Sequence, residues 1–257
     1  MNHYFPGVTL LITHYNRSSS LERLLNAFEA LGCRFGDIIV SDDGSKAEHL
    51  DAIKALQHTY QFNLVTTPEN KGLGNNINKG QDAVNTEYTL YVQEDFVPAA
   101  IFPDKLNLAL SYLTDSLELD IVRFYAYFKY PFLKPFKDGF SKMLFSPWPW
   151  FWNYKKFYYY SDHPHLRRST FFQKFGRYAE GEKVERTEYK MMFSFLKNKG
   201  KGLFYNDYQA LFEQKNSSNE PSTVKRNFWR ESDNWIITSI RHLYRHLRFN
   251  FDLHFTK

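Results

Sequence analysis

Residues 88–98 read YTLYVQEDFVP, an apolar run that ends in two adjacent carboxylates, Glu94 and Asp95. The β-branched and aromatic residues at 88–92 predict a buried strand. Open α/β sheets bind their ligands where the strands end, so a pair of acids at this point is suited to holding a divalent cation. Acids are also common at exposed strand ends and helix N-termini, and the rest of the chain has to decide between the two explanations.

Strands and helices alternate before this stretch. The apolar runs and helical spacings predict strands at 8–12, 37–41 and 62–66 and helices at 21–31 and 47–58. The Gly- and Asn-rich segment 70–80, NKGLGNNINKG, opens a further helix. Strands that alternate with helices form parallel sheets. We therefore expect an α/β fold with a mostly parallel central sheet flanked by helices.

Polar residues follow three of the predicted strands. They are residues 13–16, the pair Asp42 and Asp43, and the pair Glu94 and Asp95. Because parallel strands all end at the same edge of a sheet, these groups can converge although they are far apart in sequence. The sequence therefore predicts an edge that can hold a nucleotide.

The composition limits the remaining possibilities. The chain of 257 residues has one cysteine, Cys33, which excludes an intrachain disulfide framework and a cysteine-rich zinc site. No signal-like N-terminus is visible, and no apolar run approaches the roughly 20 residues that span a bilayer. We expect a cytoplasmic protein, either soluble or peripheral on the inner face of the cytoplasmic membrane. The net charge is +5, concentrated in residues 225–257, which argues against a nucleic-acid-binding core.

Four segments in order carry a family resemblance: VTLLITHYNR (8–17), DIIVSDDGS (37–45), NKGLGNNINKG (70–80) and YTLYVQEDF (88–96). Together they resemble the donor half of a GT-A-fold glycosyltransferase of glycosyltransferase family 2. The resemblance implies a Rossmann-like GT-A domain over 1–224, with a donor half at about 7–98 and an acceptor and catalytic half at about 99–224. It implies an inverting enzyme that moves a sugar from a nucleotide diphosphate sugar to a glycan or lipid-linked glycan, in bacterial surface polysaccharide or lipopolysaccharide synthesis.

The resemblance also assigns donor-binding roles. Thr13 and Tyr15, followed by Asn16, would surround the nucleoside, and Asp43 would accept a hydrogen bond from the base, with Asp42 as support. Asp95 would bind Mn²⁺ or Mg²⁺, with Glu94 near the ribose or diphosphate and beside the metal. Glu94 departs from the more common Asp, and its longer side chain would shift or weaken the coordination. The loop that lies against the donor would contribute Asn70, Lys71, Gly72 and Asn78.

The catalytic half is assigned by a second matching segment, FGRYAEGEKVERTEYKMMFSFLKNKG, at 175–200. Glu188 matches the general base of the family, with Glu185 as the alternative and Thr187 in place of the usual Glu. Acids in the first turn of a helix can instead complement its dipole. Candidate acceptor-binding residues are Glu180, His165, Arg168 and the tryptophan Trp150, although His165 can equally be structural and Trp150 can pack in the core.

The C-terminal part, 225–257, predicts a basic amphipathic helix. Ile236, Ile240, Leu243, Tyr244 and Leu247 share one face, and Arg241, Arg245 and Arg248 share another. Residues 228–251 either lie on an anionic membrane or pack their apolar stripe on the enzyme's own core. Amphipathicity alone does not distinguish the two, and core packing is slightly favoured.

Two other functions remain open. A sugar-nucleotide pyrophosphorylase would need a Gly-rich phosphate loop after the first strand, and THYNRSSS at 13–20 has no glycine. A non-catalytic nucleotide- or glycan-binding module would keep the fold without turnover. A dinucleotide-dependent dehydrogenase is excluded because the glycine spacing at 72–80 departs from its fingerprint.

Overall fold

The computed structural model describes residues 2–148, 150–216 and 235–255. The strands are β1 His3–His14, β2 Cys33–Asp42, β3 Asn63–Thr66, β4 Tyr88–Gln93, β5 Phe96–Pro98, β6 Ile121–Arg123, β7 Leu133–Pro135, β8 Phe140–Met143, β9 His165–Arg168, β10 Gly202–Tyr205 and β11 Phe212–Gln214. The helices are α1 Ser18–Ala30, α2 Ala47–Tyr60, α3 Leu73–Asp82, α4 Phe102–Asp115, α5 Phe171–Phe175, α6 Val184–Lys197 and α7 Trp235–Phe255, with a 3-10 turn at Tyr154–Phe157.

The first four strands form the predicted parallel sheet, in the order β3-β2-β1-β4. Each predicted strand of this half is confirmed, and β4 begins at Tyr88 as predicted and ends one residue later, at Gln93. Strand β1 begins earlier than its apolar run because residues 3–5 also pair with β2, before a register irregularity between Phe5 and Thr9. The predicted α/β class is thereby confirmed for the half of the chain that carries the polar strand ends.

The sheet continues from β4 through β9, β6, β10, β8 and β7. Strand β9 is antiparallel to both β4 and β6, whereas β6 and β10 are parallel. Strands β5 and β11 form a separate antiparallel pair. The aromatic-rich segment 124–160 contains β7, β8 and the 3-10 turn, among closely packed rings such as those of Tyr130 and Tyr159.

Alternation along β1 divides the core into two layers. Leu10 and Ile12 point into a cluster with α1 and α4, whereas Leu11 points into a second cluster with α3, α5 and α6. This is the period-2 pattern of a strand buried on both faces. The site is thereby placed on a sheet that is covered by helices on both sides.

Helix α7 packs on the protein with a different face from its apolar stripe. Phe249 packs against Phe157, Tyr189 and Phe193, and His246 contacts Trp152. The predicted apolar stripe faces outward, since Ile240, Leu243, Tyr244 and Leu247 are 45–59% exposed. The expectation that this stripe packs on the enzyme's own core is wrong, because aromatic and histidine side chains supply the packed face. Residues 228 and 229 and the side chain of Ile236 lie outside the described part of the chain.

The same structure bears on membrane crossing. No helix within residues 2–148, 150–216 and 235–255 is long and apolar enough to span a bilayer.

Helix α3 closely approaches α6 and the segment before it. A Cβ atom at Gly74 would lie 2.3 Å from the backbone carbonyl oxygen of Ala179 and 3.2 Å from Cγ2 of Thr187 on α6. Only glycine allows this distance without movement of the backbone. Gly74 thus ties the donor loop to the helix that carries Glu188.

We expect Gly74→Ala to destabilise the protein by about 1–3 kcal/mol, the usual cost of overpacking, although alanine favours a helix over glycine by about 1 kcal/mol. Urea unfolding measures the difference. Gly7→Ala is the matched control, because a Cβ atom at Gly7 meets nothing within 4 Å. An unchanged stability of Gly74→Ala would show that the α3–α6 contact is not tight.

Candidate active site

The polar strand ends meet at the carboxyl edge of the parallel sheet. Thr13 on β1 is level with Ser41 on β2 and with Gln93 on β4. The segments that follow these three strands therefore start side by side. The structure brings together residues 13–16, Asp42 and Asp43, and Glu94 and Asp95, as the parallel arrangement predicts.

Asp42 is a buried support of this edge. Its carboxylate accepts hydrogen bonds from Nδ1 of His14 (2.8 Å), the backbone N–H of Ser45 (3.0 Å) and the hydroxyl of Thr66 (2.9 Å). Burial opposes its ionisation, but the hydrogen bonds from His14 and Ser45 outweigh burial and hold the pKa of Asp42 well below its usual range. Asp42 fixes the loop and leaves little of its carboxylate for a ligand.

Asp43 holds the loop that contains residues 70–72. Its two carboxylate oxygens accept the backbone N–H groups of Lys71 and Gly72, both at 2.9 Å. Gly72 has a φ of 86°, which favours glycine. Burial raises the pKa of Asp43, against these hydrogen bonds and the charge of Lys79. Each oxygen of Asp43 retains a lone pair that can accept a base N–H, whereas Asn70 and the side chain of Lys71 are exposed.

The other donor candidates have local partners. The hydroxyl of Thr13 lies 3.0 Å from that of Tyr91, and Tyr15 is half-buried at the edge. Asn16 has a φ of 53° and accepts the N–H of Lys46 at 2.8 Å. Asn78 is buried, and its side chain binds the backbone of Tyr178 in both directions. Asn78 therefore holds α3 against the segment before α6 and does not face the loop.

Glu180 is held by the same helix. Its carboxylate accepts hydrogen bonds from the side-chain amides of Asn75 (2.8 Å) and Asn78 (2.7 Å). These hydrogen bonds lower the pKa of Glu180. The structure thus shows Glu180 as a bridge between α3 and the segment before α6.

The acid pair lies beside a buried arginine. Nη1 of Arg17 is 3.2 Å from Oδ2 of Asp95 and 3.6 Å from Oε1 of Glu94, and Gln214 donates to Oδ2 of Asp95 at 2.8 Å. Burial and then the charge of Asp95 raise the pKa of Glu94 to about 8, although Arg17 lowers it. A further positive charge beside Glu94 would favour its ionised form.

These residues suit a divalent cation. Oδ1 of Asp95 is buried and has no hydrogen-bond partner within the part of the chain that the structure describes. Such an orphaned carboxylate oxygen is a free ligand for a hard cation. The described residues contain no group of three or more His, Cys, Asp or Glu side chains that could hold a metal. Glu94 and Asp95 would therefore be joined by oxygens of the donor or by water.

Glu188 lies in the second turn of α6, and Glu185 in its first turn. Oε1 of Glu188 accepts the backbone N–H of Asp162 at 3.2 Å. Burial and then the neighbouring Asp162 carboxylate raise the pKa of Glu188. Glu185 is exposed, so the environment of Glu188 is the better suited to a general base. Thr187 is buried and donates to the carbonyl oxygen of Ala179 at 3.0 Å.

A groove of about 1220 Å³ between α6 and α7 contains Glu188 in its wall. Its lining includes the rings of Tyr158, Tyr189 and Phe249. Three acids line it, against eight cationic side chains: Arg177, Lys183, Arg186, Lys190, Lys197, Arg241, Arg245 and Arg248. The groove is thus aromatic and carries an excess of positive charge.

Three acceptor-binding predictions are not supported by the placement of their residues. His165 is fully buried in β9, with Nδ1 2.7 Å from the carbonyl oxygen of His163. Arg168 donates to the carbonyl oxygens of Leu119 (3.1 Å) and Ser116 (3.1 Å), after the end of α4. Trp150 is 79% exposed and outside the groove lining. Because His165 and Arg168 lie on the antiparallel strand β9, both residues are part of the sheet.

Two site residues were missed from the sequence. Arg17 follows directly after the polar residues 13–16, so its position at a strand end was a usable signal. Asp162 lies in the segment YYYSDHPH, at 158–165, where no local pattern marks it as a site residue. Its contact with Glu188 spans 26 positions and comes only from the tertiary fold.

Comparisons with known proteins agree with this geometry. The family model described as Glycosyl transferase family 2 matches residues 9–178. The poly-β-1,6-N-acetyl-D-glucosamine synthase of Staphylococcus aureus (strain COL) is 29% identical over 91 residues, which cover 35% of this chain and 22% of that protein. The synthase of Staphylococcus epidermidis is 26% identical over 91 residues with the same coverage. The chain thus matches only 22% of the length of these curated relatives.

Solved structures extend the similarity to nearly the whole chain. TarS 1–349 from S. aureus has a TM-score of 0.61 at 13% identity and covers 97% of this chain and 72% of its own. The same TarS fragment has been solved with UDP-GlcNAc. The mannosyltransferase PcManGT from Pyrobaculum calidifontis, in complex with GDP-Man and Mn²⁺, has a TM-score of 0.56 at 14% identity and covers 98% and 72%. These similarities confirm the predicted GT-A fold.

We expect Asp42→Asn to lower the free energy of unfolding by about 2–4 kcal/mol at pH 7, because several hydrogen bonds to a buried charge are lost. The pKa of Asp42 is depressed in the folded state, so its stabilisation is complete above the unfolded pKa of about 4 and decreases as the pH falls below it. The difference between wild type and variant should therefore narrow at pH 3. Urea unfolding at both pH values measures it, and a constant difference would contradict the assignment.

Proposed function

Since this chain belongs to glycosyltransferase family 2, we propose that it transfers a sugar from a nucleotide diphosphate sugar to a hydroxyl of a glycan or lipid-linked glycan, with inversion at the anomeric carbon. One observation carries the proposal. The acid pair Glu94 and Asp95 ends a parallel strand at the same sheet edge as the loop of Asp43, and Gly74 joins that loop to the helix of Glu188. These contacts support a single site that contains both the donor edge and the candidate base.

On this proposal the donor lies across the carboxyl edge. Asp43 accepts a hydrogen bond from the base, beside Tyr15, and the diphosphate faces Glu94 and Asp95. Arg17, within 3.6 Å of both acids, adds a positive charge on the protein side. Asp42 and Asn78 keep the surrounding loops in place without touching the donor.

Glu94 and Asp95 would hold Mn²⁺ or Mg²⁺. Bound there, the cation would act as a Lewis acid that neutralises the charge developing on the leaving diphosphate. The donor complexes of the neighbours, TarS with UDP-GlcNAc and PcManGT with GDP-Man and Mn²⁺, support this assignment. The approach of a cation also favours the ionised form of Glu94, whose pKa is raised by burial.

Glu188 would be the general base. Its carboxylate takes the proton of the acceptor hydroxyl while the acceptor oxygen forms a bond to the anomeric carbon and the bond from that carbon to the diphosphate breaks. A raised pKa makes a carboxylate a stronger proton acceptor near neutral pH. Displacement in one step from the opposite side inverts the anomeric centre.

The groove beside Glu188 would bind the acceptor. Aromatic side chains suit the apolar faces of sugar rings, and the cationic side chains favour an acceptor that carries negative groups. The relatives named as polysaccharide synthases support a role in surface polysaccharide or lipopolysaccharide synthesis.

Two alternatives make different predictions. A non-catalytic module would bind a nucleotide sugar but release no nucleoside diphosphate. A pyrophosphorylase would convert nucleotide sugar and pyrophosphate to a nucleoside triphosphate. The segment after β1 supports neither phosphate-loop chemistry nor pyrophosphorolysis, since it has no glycine.

The proposal is tested with a panel of UDP- and GDP-sugars, with and without Mn²⁺, by thermal shift and by release of nucleoside diphosphate. We expect metal-dependent stabilisation and slow release by one donor. Glu188→Gln should lower the release rate at least about 100-fold, as for loss of a general base, while the thermal shift by the donor stays. Asp95→Asn should lose the metal-dependent shift.

Glu118→Gln is the control, because Glu118 pairs with Lys201 on the surface and not with the site. Stabilisation by a donor without any release would favour the binding module. No response to any donor, or an undiminished release rate in Glu188→Gln, would contradict the proposed function.

We also propose that α7 attaches the enzyme to the inner face of the cytoplasmic membrane. Its outward face carries exposed apolar side chains, including Ile240, Leu243, Leu247, Phe251 and Phe255. Arg241, Arg245 and Arg248 lie beside this face, and such a combination suits an anionic lipid surface. A membrane-bound acceptor would then approach the groove along α7.

Binding to vesicles tests this proposal. We expect the wild type to bind vesicles with anionic lipid more tightly than neutral ones, and less tightly at high salt. Leu243→Glu and Leu247→Glu should each weaken binding about tenfold, since burying a leucine contributes about 1.5–3 kcal/mol. Leu117→Glu is the matched control, because Leu117 is 85% exposed in the segment between α4 and β6, outside α7. Equal binding by all variants would contradict a role of α7.

A further inference from the structure

Asp162 is a buried acid of the catalytic half. It is 3% exposed, and its Oδ1 accepts a hydrogen bond from the hydroxyl of Tyr178 at 2.7 Å. Its Oδ2 is buried without a hydrogen-bond partner among the residues that the structure describes. A buried carboxylate oxygen without a partner is costly unless it carries a proton or faces a group that supplies one.

The same residue is bonded to Glu188. The backbone N–H of Asp162 donates to Oε1 of Glu188 at 3.2 Å. This bond occupies one oxygen of Glu188, a residue that lines the groove between α6 and α7. Asp162 therefore holds the carboxylate of Glu188 through its main chain, and the charge of its own carboxylate acts on Glu188.

The charges around the pair do not neutralise it directly. Glu188 faces Asp162, Arg123 and Glu185, but Arg123 directs its N–H groups to the carbonyl oxygens of Tyr158 and Tyr159 and to Ser161. Asp162 faces Tyr178, Tyr160 and Arg167, and Arg167 donates to Gln81 at 2.8 Å and to Tyr160 at 3.4 Å. Tyr91 also lies within reach of the charge of Asp162.

Two like charges in a shared buried site do not both ionise at the same pH. Burial raises the pKa of Asp162, against the hydrogen bonds from Tyr178 and Tyr160. Burial and then the charge of Asp162 raise the pKa of Glu188. The directions agree with the geometry, in which no cationic side chain among the described residues is hydrogen-bonded to either acid.

We propose that Asp162 is the positioning residue of the base: its main-chain N–H orients Glu188, and its carboxylate shares a single proton with Glu188 near neutral pH. The inference rests on the proposed function, in which Glu188 is the base. The pair then carries one negative charge before reaction. When Glu188 takes the proton of the acceptor hydroxyl, the pair becomes neutral, and the proton passes to solvent after the product leaves.

The test combines a pH profile with a double-mutant cycle. We measure nucleoside diphosphate release and thermal unfolding from pH 5 to 9 for wild type, Asp162→Asn, Glu188→Gln and the double variant. Asp162→Asn removes the like charge, so Glu188 should ionise more readily. The acidic limb of the release rate should move down by about one pH unit, the size of a strong coupling between two sites.

The unfolding data report the pair without activity. A carboxyl whose pKa is raised by folding stabilises the protein below its unfolded pKa and loses this contribution as the pH rises through its folded pKa. The wild type should therefore lose stability between about pH 5 and 8, and each single variant should lose less. The two substitutions should be non-additive.

Asp120→Asn is the matched control, since Asp120 is also a buried aspartate but binds Lys174 and the N–H of Lys201. It should lower stability without moving the acidic limb. If Asp162→Asn does not fold, infrared spectra of wild type and Glu188→Gln replace it: a protonated carboxyl band at pH 7 that changes in Glu188→Gln supports the shared proton.

The outcomes separate the two proposals. The role of Asp162 would be overturned if the acidic limb does not move and the stabilities are additive, or if no protonated carboxyl band is seen at pH 7. In that case a large loss of turnover in Glu188→Gln would still support the proposed function. Full turnover in Glu188→Gln would overturn Glu188 as base, even where the unfolding data show that the two acids are coupled.

Discussion

The parallel register of β1 with β2 and β4 is the constraint on which the site depends. With Thr13 level with Ser41 and Gln93, three polar segments must leave the sheet at the same height. A shift of one residue would turn every side chain of β1 to the other face, and Leu10, Leu11 and Ile12 would exchange core layers. The packing of the two apolar layers therefore fixes the register of β1, and this register is sufficient to bring the polar residues together at one edge.

The buried acids at this edge fall into two kinds. Asp42 has hydrogen-bond donors around its carboxylate and is held ionised, so it stabilises the fold. Glu94, Asp162 and Glu188 have raised pKa values because burial outweighs their partners. A pKa raised by burial means that the charged form of the acid is destabilised in the folded protein. Such shifts are typical of groups that bind a cation or exchange a proton during function. The direction of the pKa shift thus distinguishes the structural acid Asp42 from the candidate catalytic and metal-binding acids, although all are carboxylates in the sequence.

Much of the fold followed from local patterns. Strands β1 to β4 and helices α1, α2, α4 and α6 have apolar spacings that do not depend on distant residues, and their parallel arrangement placed the strand ends together. The roles of His165 and Arg168 could not be obtained this way, because β9 inserts antiparallel between β4 and β6, and nothing local indicates that pairing. The contact of Asp162 with Glu188 and the bridge of Glu180 to α3 likewise depend on tertiary packing.

Helix α7 shows a different limit of pattern analysis. Its amphipathicity is evident from the sequence. Which face is buried depends on the partner surface, which here consists of aromatic rings that pack against His242 and His246. Periodicity gives the separation of two faces and not their assignment.

Strand β11 and the residues after it reach back to the acid pair. Gln214 donates to the carboxylate of Asp95, the N–H of Lys215 donates to the carbonyl oxygen of Asp95 at 2.7 Å, and Arg17 donates to the side chain of Asn216. An expression boundary chosen to remove the basic C-terminal part must therefore lie beyond Asn216. A shorter fragment would keep every strand of the large sheet and still lose the wall of its acid pair, so inactivity of such a fragment would say nothing about α7.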